Sequence, residues 1–187
     1  MTGKNILQTA RVIGIVENKT IVFESELEQD ALMDFAVYRQ MDSGKSEIAE
    51  YVATNANIDE DEENLLKAMI ETKTMLYEVI EVNRIDKTIK LKEVLNNSGI
   101  FTVVDLGMSE TIDENVLIFT RLIHLETFSI TSGLIFTFKH EHLEYLKKRS
   151  RKMMKKIEAE NDSDKRFIAF FKLYRRDGIP FMLEEVK

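Results

Sequence analysis

Apolar positions along the chain change their spacing twice. The first 76 residues follow mainly helical periods, residues 77–138 alternate with a period of two, and the helical period returns after Phe138. The chain opens with an exception: ARVIGIV and TIVFE, β-branched runs on either side of Glu17-Asn18-Lys19, predict a short hairpin. SELEQDALMDFAVYRQM predicts a helix, with Ser25 three residues before Glu28 in the capping-box arrangement. Leu27, Ala31, Tyr38 and Met41 fall on one face of it, and Gly44 is its expected stop. SEIAEYVA predicts a second helix capped by Ser46. DEDEENLLKAMIETKTML predicts a third, with Asp59 as cap, acids in the first turn, and an apolar stripe of Leu65, Leu66, Met69 and Ile70.

At Tyr77 the pattern becomes that of a strand. YEVIEVN and TIKLKEVL alternate on either side of the turn RIDK, with Ile89 and Leu91 facing away from Lys90 and Lys92. GIFTVVDLG, NVLIFTRLIHLE and FSITSGLIFTF add three β-rich runs, punctuated by Asn96-Asn97-Ser98-Gly99, by Gly107 to Asn115 and by Ser132-Gly133. Short strands in succession expose unpaired edges unless the sheet closes or helices cover it. HEHLEYLKKRSRKMMKKIEAEN and SDKRFIAFFKLYRR then read as helices, the second with a cap at Ser163, a stop at Asp177-Gly178 and Pro180 just beyond. The expectation is an α+β chain: a mainly helical N-terminal part with a short hairpin over 1–76, a central five-stranded small β-barrel or coiled antiparallel sheet over 77–138, and C-terminal helices over 139–187. No linker rich in Pro, Gly and Ser separates these parts, so they are expected to pack as one unit.

Composition narrows the picture. The 187 residues are 44% hydrophobic and 32% charged, the balance of a soluble globular protein. With no cysteine there is no disulfide framework and no thiolate metal site, which suits a reducing cytoplasm. The N-terminus lacks an apolar targeting core, and no run approaches the roughly 18 apolar residues of a membrane span, so the expected location is cytoplasmic with no membrane partner. The formal net charge of -7 conceals an asymmetry. Glu24 to Glu63 holds thirteen acidic residues against Arg39 and Lys45, whereas Lys139 to Lys156 holds eight basic residues against Glu141 and Glu144.

Candidate chemistry is thin. Asp42-Ser43-Gly44-Lys45-Ser46 resembles the end of a phosphate-binding loop, but the glycine required five positions before Gly44 is Arg39; a helix stop and a cap explain the segment better. Asn55 to Glu63 places oxygens at alternate positions as a calcium loop does, yet the sixth and twelfth positions are Glu60 and Leu66 where Gly and a bidentate Glu are needed. His140 and Glu144 share a helical spacing without an identifiable third metal ligand, and His142 lies between them. His124 sits in an apolar strand with no evident nucleophile partner. Asp105, Ser109 and Arg121 are the polar residues of interest in the β region, with a turn cap for Asp105 and a carboxylate partner for Arg121 as their structural roles. No catalytic residue, cofactor or metal is expected.

The run YEVIEVNRIDKTIKLKEVL, TVVDLGMSE, ENVLIFTRLI and SGLIFTF resembles an uncharacterised bacterial module that often accompanies SEC-C zinc motifs. Leu91-Lys92-Glu93-Val94-Leu95, Val104-Asp105, Ser109 and Arg121-Leu122 carry the resemblance, which spans roughly residues 25 to 138. The resemblance implies the helical-plus-small-barrel fold and no particular activity. The SEC-C motif itself is absent, because the chain has no cysteine.

KKRSRKMMKK, residues 147–156, remains. On a helix, Leu143, Leu146, Ser150, Met153, Met154 and Ile157 share one stripe that predicts burial, and Lys147, Lys148, Arg149, Arg151, Lys152, Lys155 and Lys156 occupy the rest. An ordinary wet face mixes signs; here no acid occurs between Glu144 and Glu158. Either the acidic first half of the chain answers this charge or an external partner does. These seven cations are therefore the candidate polyanion- or partner-binding residues of a noncatalytic binding or adaptor protein. An unidentified protein partner comes first, and sequence-nonspecific association with nucleic acid is the alternative. Oligomeric state is not encoded in any of these patterns.

Overall fold

Ala10 to Ile13 form the last turn of a helix, α1 (Gly3–Ile13), where the sequence pattern predicts a strand. Ile6, Ala10 and Ile13 recur at helical spacing and pack into the core that α1 shares with α2 (Glu26–Tyr38), and this burial outweighs the β propensity of Val12-Ile13. The computed structural model describes residues 3–41, 43–55 and 57–179, with side chains from Asn5 onward; Asp42 and Pro180 lie outside the described residues. The hairpin survives as a two-residue ladder, β1 (Val16–Glu17) with β2 (Thr20–Ile21). Asn18 and Lys19 between them have φ of 47° and 68°, as a type I′ turn requires.

Ser25 stands at the N-cap of α2, but its side chain makes no cap bond and the capping box does not form. Glu28 is drawn inward instead: it is 2% exposed, accepts from the Glu24 N–H, and receives Nε and Nη2 of Arg175 at 2.6 and 2.8 Å. The buried side of α2 is Glu28, Ala31, Leu32, Phe35 and Ala36, and the helix ends at Arg39, so Gly44 is not its stop. α3 (Glu47–Thr54) and α4 (Glu60–Glu71) start where the caps predict. Ser46 Oγ accepts from Ala49 N–H at 3.3 Å and Asp59 Oδ1 from Glu62 N–H at 2.8 Å. The apolar stripe of α4 is only partly covered, with Leu65 and Ile70 exposed.

Six strands follow: β3 (Thr74–Asn83), β4 (Thr88–Glu93), β5 (Ile100–Val104), β6 (Val116–His124), β7 (Ser129–Thr131) and β8 (Phe136–Lys139). The hydrogen-bonded ring β3-β4-β5-β7-β6 closes where β6 meets β3, and β8 flanks β6. The architecture is α+β, a closed five-stranded barrel with helices before and after it. Its strands are mixed, since β5 and β7 run parallel through Val103 and Ser129. FSITSGLIFTF is two strands, broken at Gly133 with φ 93°. The break expected from Gly107 to Asn115 begins inside a helix that the sequence pattern misses, α5 (Leu106–Thr111), which puts Met108, followed by Ile112, into the barrel core with Val79, Leu91, Val103 and Ile118.

Parity along β6 divides its side chains between two cores. Ile118 and Leu122 belong to the barrel interior, while Leu117 and Phe119 join the core under the helices, and Arg121 shares their parity. That second core is organised by α7 (Asp162–Asp177), whose Phe167, Phe170 and Phe171 are fully buried. Phe170 stacks on Phe119 at 4.2 Å and Phe167 on Phe35 at 4.6 Å, so α7 ties the sheet to α2. Each such burial contributes on the order of 1.5–3 kcal/mol. Asn161, not Ser163, caps α7 by accepting from Asp164 N–H at 2.9 Å; Ser163 is freed to accept from Thr74 N–H at 3.2 Å. α6 (Leu143–Met154), entered through a 3-10 turn at His140–His142, packs on α7.

Candidate functional site

The basic run lies on α6 and just past its end. Leu146 and Ser150 are buried at 0% and 2% exposure, and Leu143, Met153 and Ile157 are half-buried against the same core, so the predicted stripe is the docked side of the helix. Lys155 and Lys156 fall in the turn that follows. Lys148, Arg151, Lys152, Lys155 and Lys156 are exposed; Lys147 and Arg149 are half-buried. A shallow groove of about 460 Å³ is lined by Glu144, Lys147, Lys148, Arg151, Lys152 and Lys155. The spacing of these residues, three or four apart, puts them along one edge of the helix.

Ion pairing decides how this charge is answered within the chain. Among the described residues, only Lys147 of the seven cations reaches a carboxylate, that of Glu144 at 3.2 Å. The acidic first half makes its inward ion pairs elsewhere, Glu28 with Arg175 and Asp34 with Arg121, and exposed Glu24 also meets Arg175. Arg149 Nε is buried with no hydrogen-bond partner among the described residues. Tyr145, the aromatic residue of this helix, is committed internally, donating to Asp177 Oδ2 at 2.9 Å and accepting from Arg176 Nη2 at 3.0 Å. Burial, and then the Asp177 carboxylate, hold its phenol above the ordinary range. Arg151 and Lys152 occupy the last turn of α6, where the helix dipole favours positive charge.

Residues 1–184 match the model of a family described as one of unknown function, DUF7986. The chain belongs to that family. No curated protein and no solved structure matches it.

In this DUF7986 chain the other polar residues singled out by the sequence do not converge. Asp105 caps α5, accepting from Met108 N–H at 2.8 Å, and takes the Thr131 hydroxyl at 3.1 Å. Ser109 is buried and donates to the Leu106 carbonyl at 3.0 Å. Arg121 pairs with Asp34 at 3.0 Å and opens onto a different cavity from Asp105. His124 Nδ1 lies 2.8 Å from Ser129 Oγ, with its ring tilted against Phe101. His140 Nε2 lies 2.9 Å from Glu78 Oε1, a half-buried residue of β3. Among the described residues no three His, Asp or Glu side chains gather to hold a metal ion, and no helix is long and apolar enough to cross a membrane. Of the carboxylates that organise the interior, Asp34 went unnoticed in the sequence and Glu28 was read as a capping-box partner, because both sit within a run of surface-type acids. Their signal was helical phase: Asp34 and Glu28 lie next to the buried positions Phe35 and Ala31.

Proposed function

We propose that the protein is a noncatalytic binding protein whose α6 face docks an acidic surface of a partner protein. The observation that carries this reading is the unanswered charge: six of the seven cations of residues 147–156 have no carboxylate partner among the described residues. A local patch of this kind acts over about a Debye length, roughly 8 Å at physiological salt, and steers an oppositely charged surface onto itself. A protein partner is favoured over a long nucleic acid on three grounds. The stripe is short, about 18 Å for one twelve-residue helix, and the chain as a whole carries -7, which repels an extended polyanion. Tyr145 is also engaged with Asp177 and Arg176, so α6 offers no free ring for stacking bases.

The test compares wild type with the variant K148E/R151E/K152E/K155E. Each is titrated with a fluorescent poly-glutamate peptide and with a DNA duplex of about 20 base pairs, at salt from about 50 to about 200 mM. The expected result is peptide binding that weakens with salt and disappears in the variant while Tm falls by no more than a few degrees, since no internal ion pair is lost and only the helix-dipole contribution of Arg151 and Lys152 is reversed. Duplex binding without peptide binding, falling by about 0.9 log unit per log unit of salt for each phosphate contacted, replaces the protein partner with nucleic acid. A variant that melts earlier, from a wild type that binds neither probe, assigns the cations to internal stabilisation and overturns the proposal.

A further inference from the structure

A second, separate concavity of about 570 Å³ opens between the loop before α3, the segment joining α4 to β3, β6, and the start of α7. Its volume falls within the roughly 300–1,000 Å³ of small-molecule sites. Lys45, Lys73, Arg121 and Arg166 line it, and each comes from a different one of these segments. Lys45, Lys73 and Arg166 make no ion pair among the described residues. Arg166 Nη1 donates to the Thr74 carbonyl at 2.8 Å, which fixes the guanidinium against β3. Arg121 is 2% exposed, its Nε held by Asp34 and its Cζ 4.4 Å from the Tyr38 ring centre; its Nη2 has no hydrogen-bond partner among the described residues. Leaving a buried charged donor unmatched is costly, and a ligand accepting from it removes that cost.

Two helix N-termini border the same space. Ser46, the cap of α3, and the first turn of α7, residues 161–164, both line it, and free backbone N–H groups at such ends favour negative charge. The opposing carboxylates are Glu71, Asp162 and Asp164. Asp164 is 3% exposed and already accepts from Gln40 N–H at 3.0 Å and Asn161 Nδ2 at 3.1 Å. Burial raises its pKa, and the hydrogen bond from the Gln40 N–H and the charge of Arg121 act against that rise. Cations arriving from four segments suit a group that accepts in several directions. A tetrahedral phosphate does so, whereas a planar carboxylate is satisfied by one fork. Ile70, Met75 and Ala49 supply an apolar part of the wall.

We infer that this cavity binds the phosphate group of a small phosphorylated molecule, using Arg121, Arg166, Lys45 and Lys73 together with the N-terminal ends of α3 and α7. The site shares no residue with the α6 groove and stands or falls independently of it.

The experiment uses the full chain, labelled with ¹⁵N, titrated at constant ionic strength with inorganic phosphate and, in a parallel arm, with adenosine monophosphate. Saturable shifts at the Nε–H of Arg121 and Arg166 and at the amides of residues 47, 48, 162 and 163 are expected. Because Lys45 and Lys73 are exposed, the variant K45A/K73A keeps its fold, and its affinity for phosphate drops by about tenfold or more, the scale of losing charge-assisted contacts. Charge reversal on α6 leaves that affinity unchanged. Tighter binding of the nucleotide than of phosphate extends the ligand onto the apolar wall; equal binding confines recognition to the phosphate. Shifts that do not saturate, shifts confined to α6, or an unchanged affinity in K45A/K73A overturn the inference.

Discussion

Asp34→Ala removes the acid that holds Arg121 and tests whether that buried pair is the joint between α2 and the barrel. Asp34 accepts from Arg121 Nε at 3.0 Å and from Ser132 Oγ at 2.7 Å, and the two charged side chains are only 6% and 3% exposed. Removing one member of a buried pair strands the other charge, at a cost of roughly 3–5 kcal/mol. The contact of Arg121 with Tyr38 exists in both proteins and drops out of the difference. Water entering from the adjacent cavity softens the penalty, so about 3 kcal/mol is expected, a fall in Tm of roughly 6–12 °C for a chain of this size. The chain has no tryptophan, so unfolding is best followed by circular dichroism in urea and on heating. The double variant D34L/R121M, which replaces the pair by apolar groups of similar volume, should recover to within about 1–2 kcal/mol of wild type. Wild-type stability for Asp34→Ala, or a double variant as unstable as the sum of its two singles, refutes the reasoning.

Phe170→Ala should cost about 3–5 kcal/mol, because Phe170 is fully buried in the stack with Phe119 that fastens α7 to the sheet; a loss below about 1 kcal/mol in urea unfolding contradicts that role. Glu93→Gln should destabilise the protein at neutral pH by an amount that shrinks on acidification. Burial alone raises the Glu93 pKa, but the backbone N–H groups of Ser98, Asn96 and Leu95 and the Ser98 hydroxyl pull it below its ordinary value. Its stabilisation is therefore complete above the ordinary carboxylate pKa and is lost as pH falls through the depressed one, so a wild-type-to-variant gap that stays constant down to low pH defeats this reading.

The strands and the docked side of α6 were legible because one physical rule, burial of alternate or helically spaced apolar residues, acts on neighbouring positions. Ile89 and Leu91, or Leu146 and Ser150, announce their environment within a few residues. The errors fall where local signals tie. Ala10-Arg11-Val12-Ile13 satisfies a strand propensity and a helical stripe equally, and the contacts of α1 with α2 decide it. Asn161, Asp162 and Ser163 are three cap-forming residues in a row, and Ser163 loses the cap because Thr74, 89 residues away, takes its oxygen. α5 is too short for a periodic signal. Arg121 was readable as a paired cation in an apolar strand, but its acid is 87 residues distant, and the cavity it lines gathers residues from Tyr38 to Arg166. Nothing in a linear pattern encodes such a meeting.

Net charge alone does not describe how this protein meets anions locally, and salt separates its two basic places. The α6 cations are exposed and act through water, where ions within a Debye length of about 8 Å at physiological salt cancel most of their attraction. Arg121 sits inside the fold at 2% exposure, where few mobile ions reach and a contact is made by matched hydrogen bonds as much as by field. Lys45 and Lys73 are exposed and make the cavity partly screened, so its salt response is intermediate rather than absent. Raising salt from about 50 to about 200 mM should therefore weaken poly-glutamate on α6 steeply and phosphate in the cavity modestly. K45A/K73A should flatten the phosphate curve further, because what remains are the buried guanidinium of Arg121 and the half-buried one of Arg166. Equal salt slopes for the two probes would mean that phosphate meets the protein only at its wet surface, and Arg121 would then be an interior cation serving α2 and β6 alone.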